Sequence, residues 1–176
     1  MRLAERAAVL YAALLGVGLL WRIYRGYEVF PVGAVGLAIP LGMLAAGVTV
    51  GFALLSYRYV RGVRELADEL APALVDGVRM REIVAISLFS GVGEEAFFRG
   101  GLQPEVGLLC SSVIFGLLHL GPDRRFVLWA LWAALAGLVF GWLYISTGGL
   151  LACMLAHALH NGVMLSLWRH QRSKGS

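Results

Sequence analysis

Apolar residues gather in six separate runs, at about Ala7–Ile23, Val32–Ser56, Ile83–Phe98, Val106–His119, Phe126–Ser146 and Leu150–Trp168. The runs are continuous, without the alternation of a half-buried strand, and several approach the roughly 20 residues that a helix needs to cross a bilayer. The pattern predicts an all-α fold: a polytopic membrane helix bundle of about six transmembrane helices. The third and fourth runs are short for full spans and carry polar residues, so hydropathy marks them less sharply.

Between the second and third runs lies the one long polar connection, "YRYVRGVRELADELAPALVDGVRMRE". Its apolar residues Val60, Val63, Leu66, Leu70 and Leu74 recur every three or four positions, with Arg and Glu residues between them. That spacing predicts a short helix lying on the membrane surface. The competing reading is a solvated loop interrupted by Pro72 and Gly77. No internal repeat, low-complexity tract or second composition zone interrupts residues 1–176, which read as a single membrane-embedded domain with its chemistry in about 83–168. The first run follows basic residues as a signal peptide would. Trp21, Arg22 and Tyr24 stand where small residues would mark cleavage, so it reads as a retained transmembrane helix.

Composition agrees. Of 176 residues, 59% are hydrophobic and only 15% charged, with a mean hydropathy of +0.76, whereas soluble domains carry about 25% charged residues. The net charge of +4 does not form one basic stripe, so a nucleic-acid partner is not expected. The basic residues fall in clusters between apolar runs. With the N-terminus cytoplasmic, one face holds Arg2, Arg6, Arg58, Arg61, Arg64, Arg79, Arg81, Arg124, Arg125, Arg169, Arg172 and Lys174, and the other only Arg22, Arg25 and Arg99. The positive-inside rule therefore puts both termini in the cytoplasm. An Arg-rich, Lys-poor chain of this size suits a bacterial cytoplasmic (inner) membrane. Cys110 and Cys153 lie in apolar runs without metal-type spacing and read as packing residues.

Ionisable side chains inside a membrane are costly, face the bundle interior and mark function or a buried pair. The candidates are Glu94, Glu95, Arg99, His119, His157 and His160, with the amide Asn161. Glu95 and Arg99 are four apart with the acid first, so they can pair on one helical face. Glu94 is rotated about 100° away and has no local partner of opposite sign, the situation of a group available for proton transfer. His157 and Asn161, also four apart, share a face, with His160 close to it. A histidine can shuttle a proton or bind a metal, and an amide can stabilise an oxyanion. These groups suit a hydrolytic site, a proton relay or a transition-metal site, and residue chemistry alone leaves all three open.

Three motifs narrow the choice. "EEAFFRG" (Glu94–Gly100), "FGLLH" (Phe115–His119) and "HALHN" (His157–Asn161) resemble, in order, the Glu-Glu-x-x-x-Arg, Phe-x-x-x-His and His-x-x-x-Asn motifs of the CAAX protease and bacteriocin-processing (Abi) family of intramembrane proteases. The stretch before the third motif, including Thr147-Gly148, is similar too. The resemblance covers roughly Ile83–Val163. It implies an intramembrane endopeptidase in which Glu94 activates water with help from His119, His157 and Asn161 polarise the scissile carbonyl and stabilise the oxyanion, and Glu95 and Arg99 orient Glu94. Nothing carries over to His160.

The family is often labelled a metalloprotease, and a metal-free Glu/His mechanism is also proposed for it. No His-Glu-x-x-His motif is present, so the expectation is a site without a certain cofactor. Zn2+ held by Glu94, His119 and His157 is the alternative. The partners expected are a membrane protein or peptide substrate and the lipid bilayer; the oligomeric state stays open. Family members trim prenylated C-termini, take part in bacteriocin processing or act on C-terminal sorting signals, and a bacterial chain argues against a prenylated CAAX substrate. Two functions of other classes compete: a non-catalytic membrane scaffold or bacteriocin-immunity protein, and a small proton-linked transporter carrying its proton on Glu94.

The sequence also poses a geometric problem. Glu94 lies roughly 18 Å above the start of its helix near Glu82, while His119 ends a helix that descends from the other side. Their meeting requires tilt, a break near Gly91 or Gly93, or a deeper position for His119.

Overall fold

The computed structural model describes residues 3–175, and every regular element among them is helical. Arg2, one of the basic residues assigned to the cytoplasmic face, lies outside the described residues. The order is α1 (Leu3–Tyr24), α2 (Val35–Tyr59), α3 (Arg61–Val75), α4 (Met80–Glu95), a π-helical segment (Ala96–Leu102), α5 (Gln103–Leu117), α6 (Phe126–Thr147) and α7 (Leu151–Gly175). Five helical stretches are long and apolar enough to cross a membrane, and one of them, Met80–Leu117, holds both the third and the fourth apolar runs. Leu20, Leu44, Leu109 and Leu131 stay more than half exposed on the outside of the bundle. An exterior this apolar is matched to lipid. The protein is a helical bundle integral to a membrane.

The helix expected between the second and third runs is present as α3. It buries Leu66, Ala67, Ala71 and Val75 and turns Arg61, Arg64, Glu65, Asp68 and Glu69 outward. Pro72 does not interrupt it: Pro72 sits in the last turn, and its carbonyl accepts the Asp76 N–H at 3.1 Å. The chain leaves the helix at Gly77, where φ is +71°. Polar bonds fasten α3 across one end of the bundle. Glu69 pairs with Arg125 at 2.7 Å, Asp76 with Arg172 at 2.5 Å, and the Tyr57 hydroxyl donates to Asp68 at 2.8 Å.

The depth problem is solved between α4 and α5. α4 does not break at Gly91 or Gly93. Those glycines instead admit close neighbours: a Cβ on Gly91 would lie 2.8 Å from the Ala158 nitrogen of α7, and one on Gly93 would collide with the Tyr11 carbonyl of α1. The chain continues through the π-helical turns to Gly107, whose φ of 81° and ψ of 169° end the helical path. Residues on either side of Gly107 then face each other, with Arg99 reaching Ser111 at 3.4 Å and Ser111 reaching Gln103 at 3.5 Å. From Gly107, Glu94 lies about 19 Å down one arm and His119 about 18 Å down the other, at 1.5 Å per residue. α5 is short, and so its end stops at the level of Glu94.

Arg22, assigned by its position to an external connection, is instead in α1 and only 5% exposed. Its guanidinium donates to the Glu28 carbonyl at 2.5 Å, the Gly100 carbonyl at 2.7 Å and the Tyr144 hydroxyl at 3.3 Å. It fastens α1 to the π-helical segment and to α6. Arg99 is likewise no loop residue: it belongs to the π-helical segment and is fully buried. A side chain that close to an interface can turn inward when carbonyls wait there, which a count of charges per connection cannot register.

Candidate active site

α4, α5 and α7 bring the motif residues onto one cavity of about 540 Å³, lined by Glu94, Phe115, His119, His157 and Asn161 together with Tyr11 and Ser90. α2 and α6 supply Phe52, Trp129 and Trp132, and Val63 and Leu66 of α3 also line it. The walls are mostly aromatic or aliphatic, so the few polar groups stand out as the chemistry.

Beside the cavity lies a closed ionic cluster. Glu95 and Arg99 are both 0% exposed. One carboxylate oxygen of Glu95 accepts from Arg99 Nε at 3.0 Å, and the other accepts from His157 Nδ1 at 2.8 Å. Arg99 also lies over Phe115, with Cζ 5.4 Å from the ring centroid. Its Nη2 has no hydrogen-bond partner among the described residues. The i, i+4 pair foreseen in the sequence is thus present, and Glu95 has a second partner that the sequence did not show. A carboxylate can only accept, so Nδ1 of His157 carries the proton and Nε2 is left for the cavity. Phe140 stacks on the same ring at 5.0 Å and fixes its plane.

Glu94 faces away from this cluster. It hydrogen-bonds the Tyr11 hydroxyl of α1, and its charge interacts with His157 and His119. Nδ1 of His119 donates to the Phe115 carbonyl at 2.7 Å, so this histidine too presents Nε2. Phe115 holds the ring at 4.7 Å, which gives the aromatic of the second motif an orienting contact beyond simple packing. Asn161 Nδ2 donates one proton to Ser90 at 2.9 Å, which pins the amide and leaves its second N–H unused by that bond. His160 does not join the ionic cluster. Its Nδ1 is 3.2 Å from the Thr49 hydroxyl of α2.

Sequence reasoning missed Tyr11, Ser90 and the His157–Glu95 bond. Ser90 had a local signal, since it precedes Glu94 by one turn on the same face. Tyr11 had none: it is a lone phenol in an apolar run, placed only by the approach of α1 to Gly93. As for metal, among the described residues no three His, Cys, Asp or Glu side chains come together as a metal-ion site, whereas a catalytic zinc takes three protein ligands.

The chain has known relatives. Residues 78–163 match the family model described as Type II CAAX prenyl endopeptidase Rce1-like. An uncharacterized protein, YpbD, of Bacillus subtilis (strain 168) is 35% identical over 81 residues, covering 46% of this chain and 42% of the relative. The sporulation-killing factor biosynthesis protein SkfC of the same organism is 27% identical over 166 residues, 85% of this chain and 33% of the relative. The chain thus spans less than half the length of either relative. No solved structure matches it. The matched segment carries all three motifs, so the part of the chain that is similar to the Type II CAAX prenyl endopeptidase Rce1-like family is the part that builds this cavity.

Proposed function

We propose that this protein is an intramembrane endopeptidase that hydrolyses a peptide bond of a membrane-associated protein or peptide with water activated by Glu94 and His119. The observation that carries the reading is the convergence of Glu94, His119, His157 and Asn161 from three helices onto one cavity. Amide hydrolysis needs a base for water, donors for the oxyanion and a proton for the leaving amine. Glu94 takes a proton from water that His119 Nε2 helps to hold, and the hydroxide adds to the scissile carbonyl carbon. Asn161 donates its second N–H to the oxyanion. His157, held as the imidazolium by the Glu95 carboxylate, donates from Nε2. Glu94 then passes its proton to the leaving nitrogen as the C–N bond breaks. These steps use only this chain's own residues, and among the described residues the donor groups do not gather as a three-ligand set.

The closed Glu95 cluster argues for catalysis over a scaffold: it fixes His157 from behind and leaves Glu94 uncompensated in its own helix. A scaffold needs no unpaired acid. The basic clusters support cytoplasmic termini in a bacterial inner membrane. The test is purified protein in proteoliposomes, assayed on a tagged membrane peptide with and without chelator. Cleavage that survives chelation and disappears in Glu94→Ala is expected. Cleavage that chelator abolishes and metal restores overturns the metal-free mechanism, and cleavage by Glu94→Ala overturns the base.

A further inference from the structure

His160 lies on the cavity wall, at one of the unspecified positions of the third motif. Beside it are Trp132, at 5.7 Å between rings, and Phe52, which stacks on Trp132 at 5.0 Å. Its protonation pattern can be read from its neighbours. The Thr49 hydroxyl has one proton, and the Ala46 carbonyl, 3.1 Å away, can only accept it. Thr49 Oγ1 therefore accepts from His160, at 3.2 Å, and Nδ1 is the protonated ring nitrogen. Nε2 is left with a lone pair, on a ring that lines the same cavity as Glu94 and His157.

An acceptor at this place answers a need of the substrate. A peptide bound in an apolar cavity must satisfy its backbone N–H groups or lose free energy for each one left bare. His160 follows His157 by three residues on α7, about 4.5 Å along the helix. An extended peptide advances about 3.3 Å per residue. We propose that His160 binds substrate, with Nε2 accepting the backbone N–H of an extended apolar peptide one or two residues from the bond that is cut. This assignment rests on the endopeptidase reading and adds a requirement on the substrate: a free N–H at that one position.

The experiment is an N-methyl scan. Wild type, His160→Phe and His160→Gln in proteoliposomes are given a panel of synthetic apolar peptides, and the best-cleaved peptide is then N-methylated at each backbone nitrogen in turn, the scissile nitrogen excepted. In wild type, methylation one or two residues from the cut should lower kcat/KM about tenfold. His160→Phe should lower cleavage of the parent peptide by a similar factor and erase that positional penalty. His160→Gln, whose amide oxygen can accept, should restore much of it. A wild-type scan with no such position overturns the assignment even where no variant folds. A penalty that persists unchanged in His160→Phe overturns it too. Failure of wild type to cleave any peptide overturns the endopeptidase reading, and this assignment with it.

Discussion

Glu94 and Glu95 are consecutive, yet they belong to regions built on opposite rules. Around Glu95 both carboxylate oxygens are engaged: Arg99 and His157 each bond one of them, Phe98 and Phe115 cover the guanidinium, and the exposure is zero. Around Glu94 the partners are neutral or shared, a phenol from α1 and two histidines at a distance, and a cavity opens in front. One region is closed by pairing and the other is kept open by the lack of it. The difference shows how a membrane protein can hold two acids side by side: a buried charge is tolerable when fully paired, and the neighbour anchored by that pair can be left reactive.

Breaking the closed side should cost most in stability. Arg99→Met leaves Glu95 buried against a single partner, and removal of one member of a buried pair typically costs about 3–5 kcal/mol. Thermal unfolding in detergent would show the loss, with the folded yield falling before any kinetic effect is measurable. On the open side, Asn161→Ala should unfold like wild type and cleave about 10²–10³-fold more slowly, the range for a lost oxyanion donor. Tyr11→Phe is milder. It removes only the hydroxyl that touches Glu94, so kcat should fall about tenfold with KM and unfolding temperature unchanged. An equal loss in both terms would place Tyr11 in substrate binding instead.

The α3 belt sharpens the comparison from outside, because its ion pairs face solvent and should matter least. Hydrogen bonds from the Arg125 side chain and backbone hold the Asp123 carboxyl down at about 2, and Arg172 lowers Asp76 in the same way. Both carboxyls are depressed in the folded state, so their contribution is fully present above the ordinary Asp value of about 3.9 and is lost as pH falls toward the folded value. The unfolding temperature should therefore be flat, as far as these pairs decide it, from pH 7 to 5 and decline only below about pH 4.

Much of this architecture was legible in the sequence, because lipid enforces it. Long apolar runs become helices when no water can satisfy a bare backbone, and the three-four spacing of Val63, Leu66 and Leu70 specified α3. The Glu95–Arg99 pair was legible because i, i+4 is a local relation. What depended on distant approach was not. The π-helical turns from Ala96 to Leu102 and the reversal at Gly107 set the level of His119, yet "GGLQPEVG" reads only as a quick turn. The bonds of Tyr11 to Glu94 and of His157 to Glu95 join residues far apart in sequence, and the inward turn of Arg22 depends on the Gly100 carbonyl. Each is created by packing, which a period or a spacing does not encode.

The division of labour between the two acids is the central claim, and one paired measurement tests it: turnover and unfolding temperature of Glu94→Gln beside Glu95→Gln in the same proteoliposomes. Glu94→Gln should unfold within about a degree of wild type and lose at least about a thousandfold in kcat, the scale of a lost general base with its share of water binding. Glu95→Gln should unfold many degrees lower. If Glu94→Gln still cleaves, or if Glu95→Gln is as stable as wild type and equally inactive, the assignment of one acid to chemistry and the other to structure is contradicted.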